Sequence, residues 1–372
     1  MPLRQFGPSI GGAGVYTVNV LKRLATDHRA ALTIFTTESQ LDPLCAMAPS
    51  AVFRLVPDQS AGLSIEHDFD GEQHDVLFCP LNLLDPPSPQ IPSVVVIYDI
   101  AHELHPENFS EQTLELRRRT YRQGAEAADM VLTVSDHARR TIAERYSLDP
   151  GKIVVAPGGI SEVFTQPARI EPSSAFRELQ LPEEYLYYPA NYWPHKNHDQ
   201  LLRALQVVLR SHEGLCLVLS GAPGPDADRV WRLVRERGLE RNVKMLGLVE
   251  ETLVCELMRH ARVVPFVSQF EGFGLPIVEA FSAGAPVVTS LAEGARETGG
   301  DAVLTAPADD PAAIAREIER ILTDPQLAAE LRLRGRQRAM QFSWEQTTAT
   351  VAECLEQVAR LRSRSPAKRV RG

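Results

Sequence analysis

The amino-acid sequence predicts an α/β protein made of two doubly wound domains. Short runs rich in β-branched residues alternate with stretches of helical apolar spacing along most of the chain. The strand-like runs are apolar almost throughout, which is typical of parallel strands that helices cover on both faces. A length of 372 residues is long for one domain and sufficient for two separate cores. We therefore expect domains at residues 1–168 and 169–372, with a linker in the Pro-rich stretch 165–174.

Composition and charge limit the classes of function. The chain has 44% hydrophobic and 23% charged residues, as soluble globular proteins do, and no run reaches the roughly eighteen apolar residues of a membrane span. The net charge of −9 disfavours a nucleic-acid partner. The segment 363–372 is basic, with four Lys and Arg residues and no acid. We expect a solvated tail there, with weak peripheral contact to an anionic membrane as the alternative.

The cysteines predict a reducing compartment. They are spread along the chain, mostly within apolar runs, and no C-x-x-C pair is present. Buried free thiols of this kind are typical of cytoplasmic proteins. The sequence also shows no signal peptide, so we expect a cytoplasmic protein. The five cysteines are Cys45, Cys79, Cys216, Cys255 and Cys354.

A glycine loop opens the first domain. Gly11, Gly12 and Gly14 lead into residues 15–24, which have helical apolar spacing. The loop lacks the G-x-G-x-x-G spacing and no β-rich run precedes it, so an NAD-dependent oxidoreductase is disfavoured. The later strand-like runs are 31–36, 51–56, 75–79, 93–98, 130–134 and 153–156, and the main helical stretches are 111–127 and 135–145.

Two polar residues follow the apolar run 93–98. Ligands of open parallel sheets bind beyond the carboxyl ends of the strands, which predicts a site at Asp99 and His102. The alternatives are that Asp99 caps the next turn and that His102 is an ordinary surface histidine.

The second domain begins with the apolar strand 185–190, the loop 191–197 and the amphipathic helix 198–210. Lys196 stands at the junction of loop and helix. If the site binds a nucleotide diphosphate, the positive charge of Lys196 can neutralise the negative charge that grows as the nucleotide leaves. The alternative is a solvated lysine. A strand at 215–221 ends in Gly221, and we expect this turn to form part of a nucleotide pocket.

Residues 262–283 predict a strand, a tight glycine loop and a helix, with Pro276 in the first helical turn. A diphosphate can dock on the backbone of Phe273, Gly274 and Leu275, because a helix N-terminus offers unpaired N–H groups. We place Glu279 in the first turn of this helix, where its carboxylate can accept hydrogen bonds from both hydroxyl groups of a ribose. Glu271 precedes the loop and is expected to bind the hydroxyl groups of the sugar at the other end of the diphosphate. The alternative is that both glutamates merely favour a helix start.

Residues 271–280, followed by 283–288, are similar to the E-x7-E signature of the retaining GT-B glycosyltransferases of family 4, and the similarity extends from about residue 11 to 351. The resemblance implies two Rossmann-like domains that face each other across a cleft. It also implies a donor site mainly in the second domain and an acceptor site in the first. The glycine loop with Gly12 is then expected to approach the acceptor and the donor sugar. A last helix, which opens at Ser343, is expected to cross back to the first domain.

The chain departs from the family pattern at two places. The family usually has a His-Asp pair where this chain has Tyr98 and Asp99, which leaves His102 as the substitute candidate. Many members also carry an arginine five or six residues before the lysine. Asn191 occupies one of those positions here, so we expect Asn191 and His195 to contact the donor.

The start of the chain shows no strand. Residues 1–9 have neither a β-rich run nor alternation, although the family normally begins with an apolar strand, which is central in a doubly wound sheet. We expect the natural protein to start upstream, so that this start truncates the first strand. The alternative is a short stub near residues 3–6 and a looser first domain.

We predict a retaining glycosyltransferase that moves a hexose from a nucleotide-diphosphate donor to a glycan or lipid-linked acceptor in cell-surface polysaccharide synthesis. No cofactor or metal is expected, because the D-x-D matches at 68–70 and 226–228 lie in polar loops away from strand ends. The alternatives are a non-catalytic subunit that binds nucleotide sugars and a sugar-nucleotide epimerase of the same fold.

Overall fold

The computed structural model describes residues 2–3, 11–56, 74–167 and 171–364. The chain forms two compact units, one made of Met1–Gly158 and Trp344–Gly372 and the other of Gly159–Ser343. The expected domain boundary followed residue 168, whereas the observed division follows Gly158. Within the predicted linker 165–174, residues 168–170 lie outside the described parts.

The first unit is built on parallel strands with helices between them. Its strands are β1 (Pro2–Leu3), β2 (Thr33–Thr36), β3 (Val52–Leu55), β4 (Leu77–Cys79), β5 (Ser93–Val96), β6 (Met130–Thr133) and β7 (Ile153–Val155). The helices among them are α1 (Gly12–Leu24), α2 (Glu38–Met47), α3 (Ala101–Leu104), α4 (Glu111–Ala127) and α5 (Asp136–Tyr146). The ladders run in the orders β1–β2–β3 and β4–β5–β6–β7, with every pair parallel. The predicted parallel α/β class is therefore confirmed for this unit.

The sheet of the first unit is buried as its composition predicts. Val94, Val95 and Val96 of β5 have no exposed surface. Burial of each such side chain stabilises the fold by about 1.5–3 kcal/mol. At the start of α5, Ser135 Oγ accepts a hydrogen bond from the Ala138 N–H at 3.0 Å, so the helix begins with a side-chain cap.

A two-residue strand stands where the sequence suggested none. Leu3 is buried and pairs in parallel with Thr36 of β2. The Thr36 hydroxyl donates a hydrogen bond to the Leu3 carbonyl oxygen at 2.8 Å. The absence of a strand in the sequence pattern was misleading, because a pairing of two residues leaves no periodic signal, and a short stub was the alternative. Residues 4–10, which include most of the predicted stub, lie outside the described residues.

The second unit alternates strands and helices in the same way. Its strands are β8 (Tyr185–Pro189), β9 (Cys216–Ser220), β10 (Val243–Met245), β11 (Val264–Phe266), β12 (Val287–Ser290) and β13 (Val303–Ala306). Its helices are α6 (Glu162–Thr165), α7 (Ser174–Glu178), α8 (His198–Val208), α9 (Ala227–Glu236), α10 (Glu251–His260), α11 (Leu275–Ala283), α12 (Glu293–Gly299), α13 (Pro311–Thr323) and α14 (Pro325–Ala339).

The strand order of the second unit reverses between β8 and β11. Parallel ladders run in the orders β10–β9–β8 and β11–β12–β13. Backbone hydrogen bonds from Arg262 to Tyr185 (2.9 Å) and from Tyr187 to Val263 (3.1 Å) join them. The complete order, β10–β9–β8–β11–β12–β13, is that of a doubly wound dinucleotide-binding sheet. Its ligand position is therefore expected beyond the carboxyl ends of β8 and β11.

The last helix, α15 (Trp344–Arg364), belongs to the first unit. The buried Trp344 ring packs edge-on against Tyr16 of α1, with 5.6 Å between ring centres. The Thr347 hydroxyl donates a hydrogen bond to the Pro157 carbonyl oxygen at 2.6 Å. The predicted return of the last helix to the first domain is confirmed. The basic tail lies mostly at residues 365–372, outside the described parts.

All five cysteines are free thiols, as predicted, and all but Cys45 are buried. Across the described ranges, no helix combines the length and the apolar composition that crossing a bilayer requires.

Candidate functional site

Two loops meet where the strand order of the second unit reverses. The loop after β8 carries Lys196, and the loop after β11 carries Glu271. Lys196 Nζ donates a hydrogen bond to Glu271 Oε1 at 2.6 Å. The lysine side chain is 19% exposed and the glutamate side chain 11% exposed, so water screens this ion pair only in part. The ammonium also lies over the Phe266 ring, 5.6 Å from its centre.

The start of α11 offers backbone donors to an anion. Gly274 precedes the helix with φ 96° and ψ 59°, a left-handed backbone that favours glycine, and Pro276 lies in the first turn. Within the ranges that the structure describes, the backbone N–H groups of Phe273, Gly274 and Leu275 donate no hydrogen bond. The positive end of the helix dipole adds to the attraction for an anion. The predicted strand, glycine loop and helix are therefore present.

Glu279 lies one turn into α11, not in the first turn as we expected, because the helix begins at Leu275. The residue is half-buried, and its carboxyl has no hydrogen-bond partner among the described residues. Burial, reinforced by the Glu251 carboxylate nearby, raises the pKa of Glu279 to about 8. A carboxyl in this state is available to the hydroxyl groups of a ligand.

Close backbone approaches hold the loops after β8, β9 and β10 together. Asn191 Oδ1 accepts a hydrogen bond from the Ala222 N–H at 2.8 Å. The Gly221 N–H donates to the Gly247 carbonyl oxygen at 2.8 Å. A Cβ atom at Gly221 would lie 2.4 Å from the Ala190 carbonyl oxygen, so this approach requires glycine. Asn191 and Gly221 thus fix the same edge of the sheet that carries Lys196.

His195 is half-buried in the loop between β8 and α8. Its carbonyl oxygen accepts a hydrogen bond from the Gln269 N–H at 2.8 Å, which ties this loop to the loop after β11. His195 directly precedes Lys196 in the chain, and its part in donor binding stays a prediction.

Tyr98 of the first unit fastens the start of α1. Its hydroxyl lies 2.9 Å from the Pro80 carbonyl oxygen and 3.2 Å from the Ala13 carbonyl oxygen. It also lies 3.2 Å from Thr17 Oγ1 on the next turn of the helix. Burial raises the pKa of Tyr98 well above its ordinary value, so the phenol is neutral at physiological pH. Tyr98, at the position where the resemblance implies a histidine, therefore has a structural contact to the helix that begins at the exposed Gly12.

The two other candidates of the first unit follow β5. Asp99 is half-buried, and its Oδ1 accepts a hydrogen bond from the Ala101 N–H at 2.9 Å, which is the turn contact considered as an alternative. His102 was expected at a ligand site or, as the alternative, at the surface. The surface alternative was wrong, because the side chain is buried and packs edge-on against Tyr121, with 4.7 Å between ring centres. Burial lowers the pKa of His102 to about 4, so the ring is neutral at pH 7.

The acidic motif at 226–228, considered for metal binding, is not part of a metal-ligand set in the described residues. Asp226 pairs with Arg229 at 2.9 Å at the start of α9. The other motif, at 68–70, lies outside the described residues. Within the described ranges, no group of three or more His, Cys, Asp or Glu side chains is placed to hold a metal ion. Metal independence stays a prediction.

Two residues that fix the Lys196 loop were missed by the sequence analysis. The Tyr188 hydroxyl donates a hydrogen bond to the Lys196 carbonyl oxygen at 2.7 Å. The Asn197 side-chain amide donates to the carbonyl oxygens of Val267 (3.0 Å) and Ala308 (2.6 Å). An asparagine at a loop–helix junction is a signal for left-handed backbone. Its partners, 70 and 111 residues further along the chain, are not readable from local sequence.

Solved structures of known proteins share this architecture. Sucrose-phosphate synthase from Thermosynechococcus elongatus superimposes with a TM-score of 0.76 at 20% identity, covering 95% of this chain and 94% of the other. Anabaena HepE, solved with UDP and glucose, gives a TM-score of 0.77 at 19% identity, covering 95% and 98%. At these identities the likeness shows the fold, and the predicted GT-B class is confirmed.

Sequence relatives extend the likeness beyond the fold. O-antigen chain mannosyltransferase B of Escherichia coli is 32% identical over 262 residues, which are 70% of this chain and 69% of that protein. D-inositol 3-phosphate glycosyltransferase of Kineococcus radiotolerans is 31% identical over 251 residues, 62% of this chain and 58% of that protein. Family models match at residues 10–163, as Glycosyltransferase Family 4, and at 171–338, as Glycosyl transferases group 1. The loops of Lys196 and Glu271 fall within the second match, and the chain belongs to the group 1 glycosyltransferases.

Proposed function

We propose that this chain transfers a hexose from a nucleotide-diphosphate donor to a glycan or lipid-linked acceptor, with retention of the anomeric configuration. The bond between the anomeric carbon and the diphosphate oxygen breaks, and a bond from that carbon to an acceptor hydroxyl oxygen forms. The nucleoside diphosphate and the acceptor's proton are released. We further propose that no divalent metal is needed and that the product enters a cell-surface polysaccharide.

The observation that carries this proposal is the 2.6 Å pair of Lys196 and Glu271, held beside the start of α11. Both loops lie at the point of strand-order reversal, where doubly wound sheets bind their ligands. The unpaired N–H groups of Gly274 and its neighbours suit a diphosphate, and Lys196 supplies a positive charge from the adjoining loop. These features support a diphosphate at the start of α11, with the Glu271 carboxylate next to it.

Each charged group has a defined part in this scheme. A lysine ammonium has three N–H donors, so Lys196 can keep its contact with Glu271 and still bind the diphosphate. Negative charge on the leaving diphosphate grows as the glycosidic bond breaks, so Lys196 stabilises the transition state more than the bound donor. Glu271 accepts hydrogen bonds from sugar hydroxyls, and Glu279 accepts them from the ribose of the nucleotide.

The identity of the sugar is suggested by the similar proteins. The relative from Escherichia coli is named as a mannosyltransferase, and a structural neighbour from Anabaena was solved with UDP-glucose. Nucleotide-activated mannose and glucose are therefore the first donors to test. A third similar structure, WaaG, is described as a glycosyltransferase of lipopolysaccharide biosynthesis, which supports a lipid-linked or glycan acceptor.

A thermal-shift screen of UDP-, GDP- and dTDP-sugars tests the donor class, because a ligand at a hundredfold its Kd adds about 2.7 kcal/mol of stability. The donor found is then incubated with glycan and lipid-linked acceptors, and the release of nucleoside diphosphate and the anomeric configuration of the product are measured. The proposal predicts a glycoside with the donor's configuration. Binding without any release supports a non-catalytic subunit, and an epimeric nucleotide sugar supports an epimerase. Either result overturns the proposal.

A further inference from the structure

Asn197 adopts a backbone conformation that few side chains tolerate. Its φ of 62° and ψ of 34° lie in the left-handed region, and it directly precedes α8. The side chain makes no capping hydrogen bond to that helix. The residue is buried, and its amide nitrogen donates instead to the carbonyl oxygens of Val267 and Ala308, at 3.0 and 2.6 Å. Asparagine is therefore used here for its backbone preference and for its two N–H donors.

The two acceptors of the Asn197 amide lie at the carboxyl edge of the sheet. Val267 follows directly on β11, and Ala308 lies just beyond β13. One side chain thus joins the junction before α8 to two strand ends that are distant in the sequence. Because Val267 begins the segment that leads to Glu271, this contact sets the loop of Lys196 against the loop of its partner.

Other hydrogen bonds hold the same backbone but do not replace that contact. The Tyr188 hydroxyl donates to the Lys196 carbonyl oxygen at 2.7 Å and lies 3.2 Å from Ser268 Oγ. The Gln269 N–H donates to the His195 carbonyl oxygen at 2.8 Å. These bonds hold the residues that precede Asn197. The side-chain amide of Asn197 anchors Asn197 itself, at the point where the chain enters α8.

We propose that Asn197 is a positioning residue that places the Lys196 ammonium against Glu271 and the diphosphate. This inference rests on the proposed function for the part that concerns turnover. If Lys196 acts on charge that develops in the transition state, its displacement lowers kcat more than it weakens donor binding. A purely structural amide would instead lower stability and leave the geometry of the lysine unchanged.

Asn197→Gly is the informative variant, because glycine keeps the left-handed backbone and removes both amide hydrogen bonds. Asn242→Ala is the matched control in the same unit. The Asn242 amide also donates to two carbonyl oxygens, those of Glu213 (3.2 Å) and Leu215 (3.0 Å), which lie before β9 at the opposite edge of the sheet. Both variants lose the same kind of contact, and only one of them borders Lys196.

The first measurement needs no substrate. The rate at which an amine-reactive reagent labels Lys196 is followed by mass spectrometry, with the exposed Lys22 of α1 as the internal reference. We expect Asn197→Gly to label several times faster at Lys196 than the wild type, with no change at Lys22, because the ammonium is released from Glu271. Asn242→Ala should leave both rates unchanged. An unchanged Lys196 rate in Asn197→Gly overturns the inference, whether or not sugar transfer is found.

The second measurement uses the donor identified by the screen. Asn197→Gly should lower kcat roughly ten- to a hundredfold with a nearly unchanged donor KM. The loss should largely disappear when Asn197→Gly is made in Lys196→Ala, since residues that act through one another are not additive. A loss of the same size in both backgrounds, or a raised KM with unchanged kcat, contradicts the positioning role. Absence of transfer by the wild type counts against the proposed function alone, and the labelling rates then decide the inference.

Discussion

Lys196 and Glu271 stand 75 residues apart in the chain, and their side chains form a 2.6 Å ion pair. The strand order brings them together, because β8 and β11 are neighbours at the reversal of the sheet and each loop leaves the same edge. Partial burial keeps the pair from being fully screened by water. The lysine is therefore held in place before a donor arrives.

Lys196→Ala is expected to lower kcat more than donor affinity. Loss of a preorganised charge stabiliser typically costs about 2.7–4 kcal/mol, a factor of roughly 10² to 10³ in kcat. Steady-state kinetics give the turnover, and calorimetric titration of the donor gives the Kd. Lys22→Ala, on the exposed surface of α1, is the control. Normal turnover in Lys196→Ala would refute the assignment.

Donor affinity is expected to rise with pH through the pKa of Glu279. That pKa is raised to about 8, so most of the carboxyls carry a proton at pH 7. Hydrogen bonds from a ribose diol favour the carboxylate, so donor binding releases a proton and should tighten by up to about tenfold per pH unit below pH 8, then level off. Calorimetric Kd values between pH 6.5 and 9 measure the slope. Glu279→Gln should bind weakly at every pH, and an equal slope in this variant would exclude Glu279 as the titrating group.

Gly294→Ala is expected to disturb the Glu271 loop. A Cβ atom there would lie 2.1 Å from the Glu271 carbonyl oxygen and 2.9 Å from that of Gly272. Overpacking of this kind costs about 1–3 kcal/mol, so both the melting temperature and donor affinity should fall. Gly214→Ala is the control, because its added Cβ meets nothing within 4 Å. Wild-type donor binding by Gly294→Ala would show that the position of the Glu271 loop does not matter for the donor.

Transfer is expected to continue in excess EDTA. Lys196 and the N–H groups at the start of α11 already offer the positive charge that a divalent ion would bring to the diphosphate. Initial rates with EDTA, and with added manganese or magnesium, measure this directly. Complete loss of activity that manganese restores would show a metal requirement.

The local features of the site were predictable from the sequence. Residue types alone predicted a strand in the run 262–267, a turn at the glycines of the loop and a helix start at Pro276. The structure contains all three. The position of Lys196 between loop and helix was predictable, because a polar loop that follows an apolar strand and precedes a helix is a local pattern. Parallel sheets followed from strands without alternation.

The features that depend on distant contacts were not predictable. The buried His102 packs against Tyr121 of α4, and the hydroxyl of Tyr98 lies within hydrogen-bond distance of Pro80 and of the first turn of α1. The Asn197 amide likewise donates hydrogen bonds to carbonyl oxygens in two later loops. Spacing along the chain carries no information on such partners, since the same residues fit several local alternatives.

We expect Lys196 and Glu271 to act as one unit on a nucleotide sugar. Release of nucleoside diphosphate from the identified donor should be measured for the wild type, Lys196→Ala, Glu271→Gln and the double variant. We expect each single variant to be slowed at least about tenfold, and the double variant to be little slower than the worse single variant, because contacting residues couple by about 0.5–3 kcal/mol. Normal release in both single variants, or losses that simply multiply in the double variant, would contradict the account.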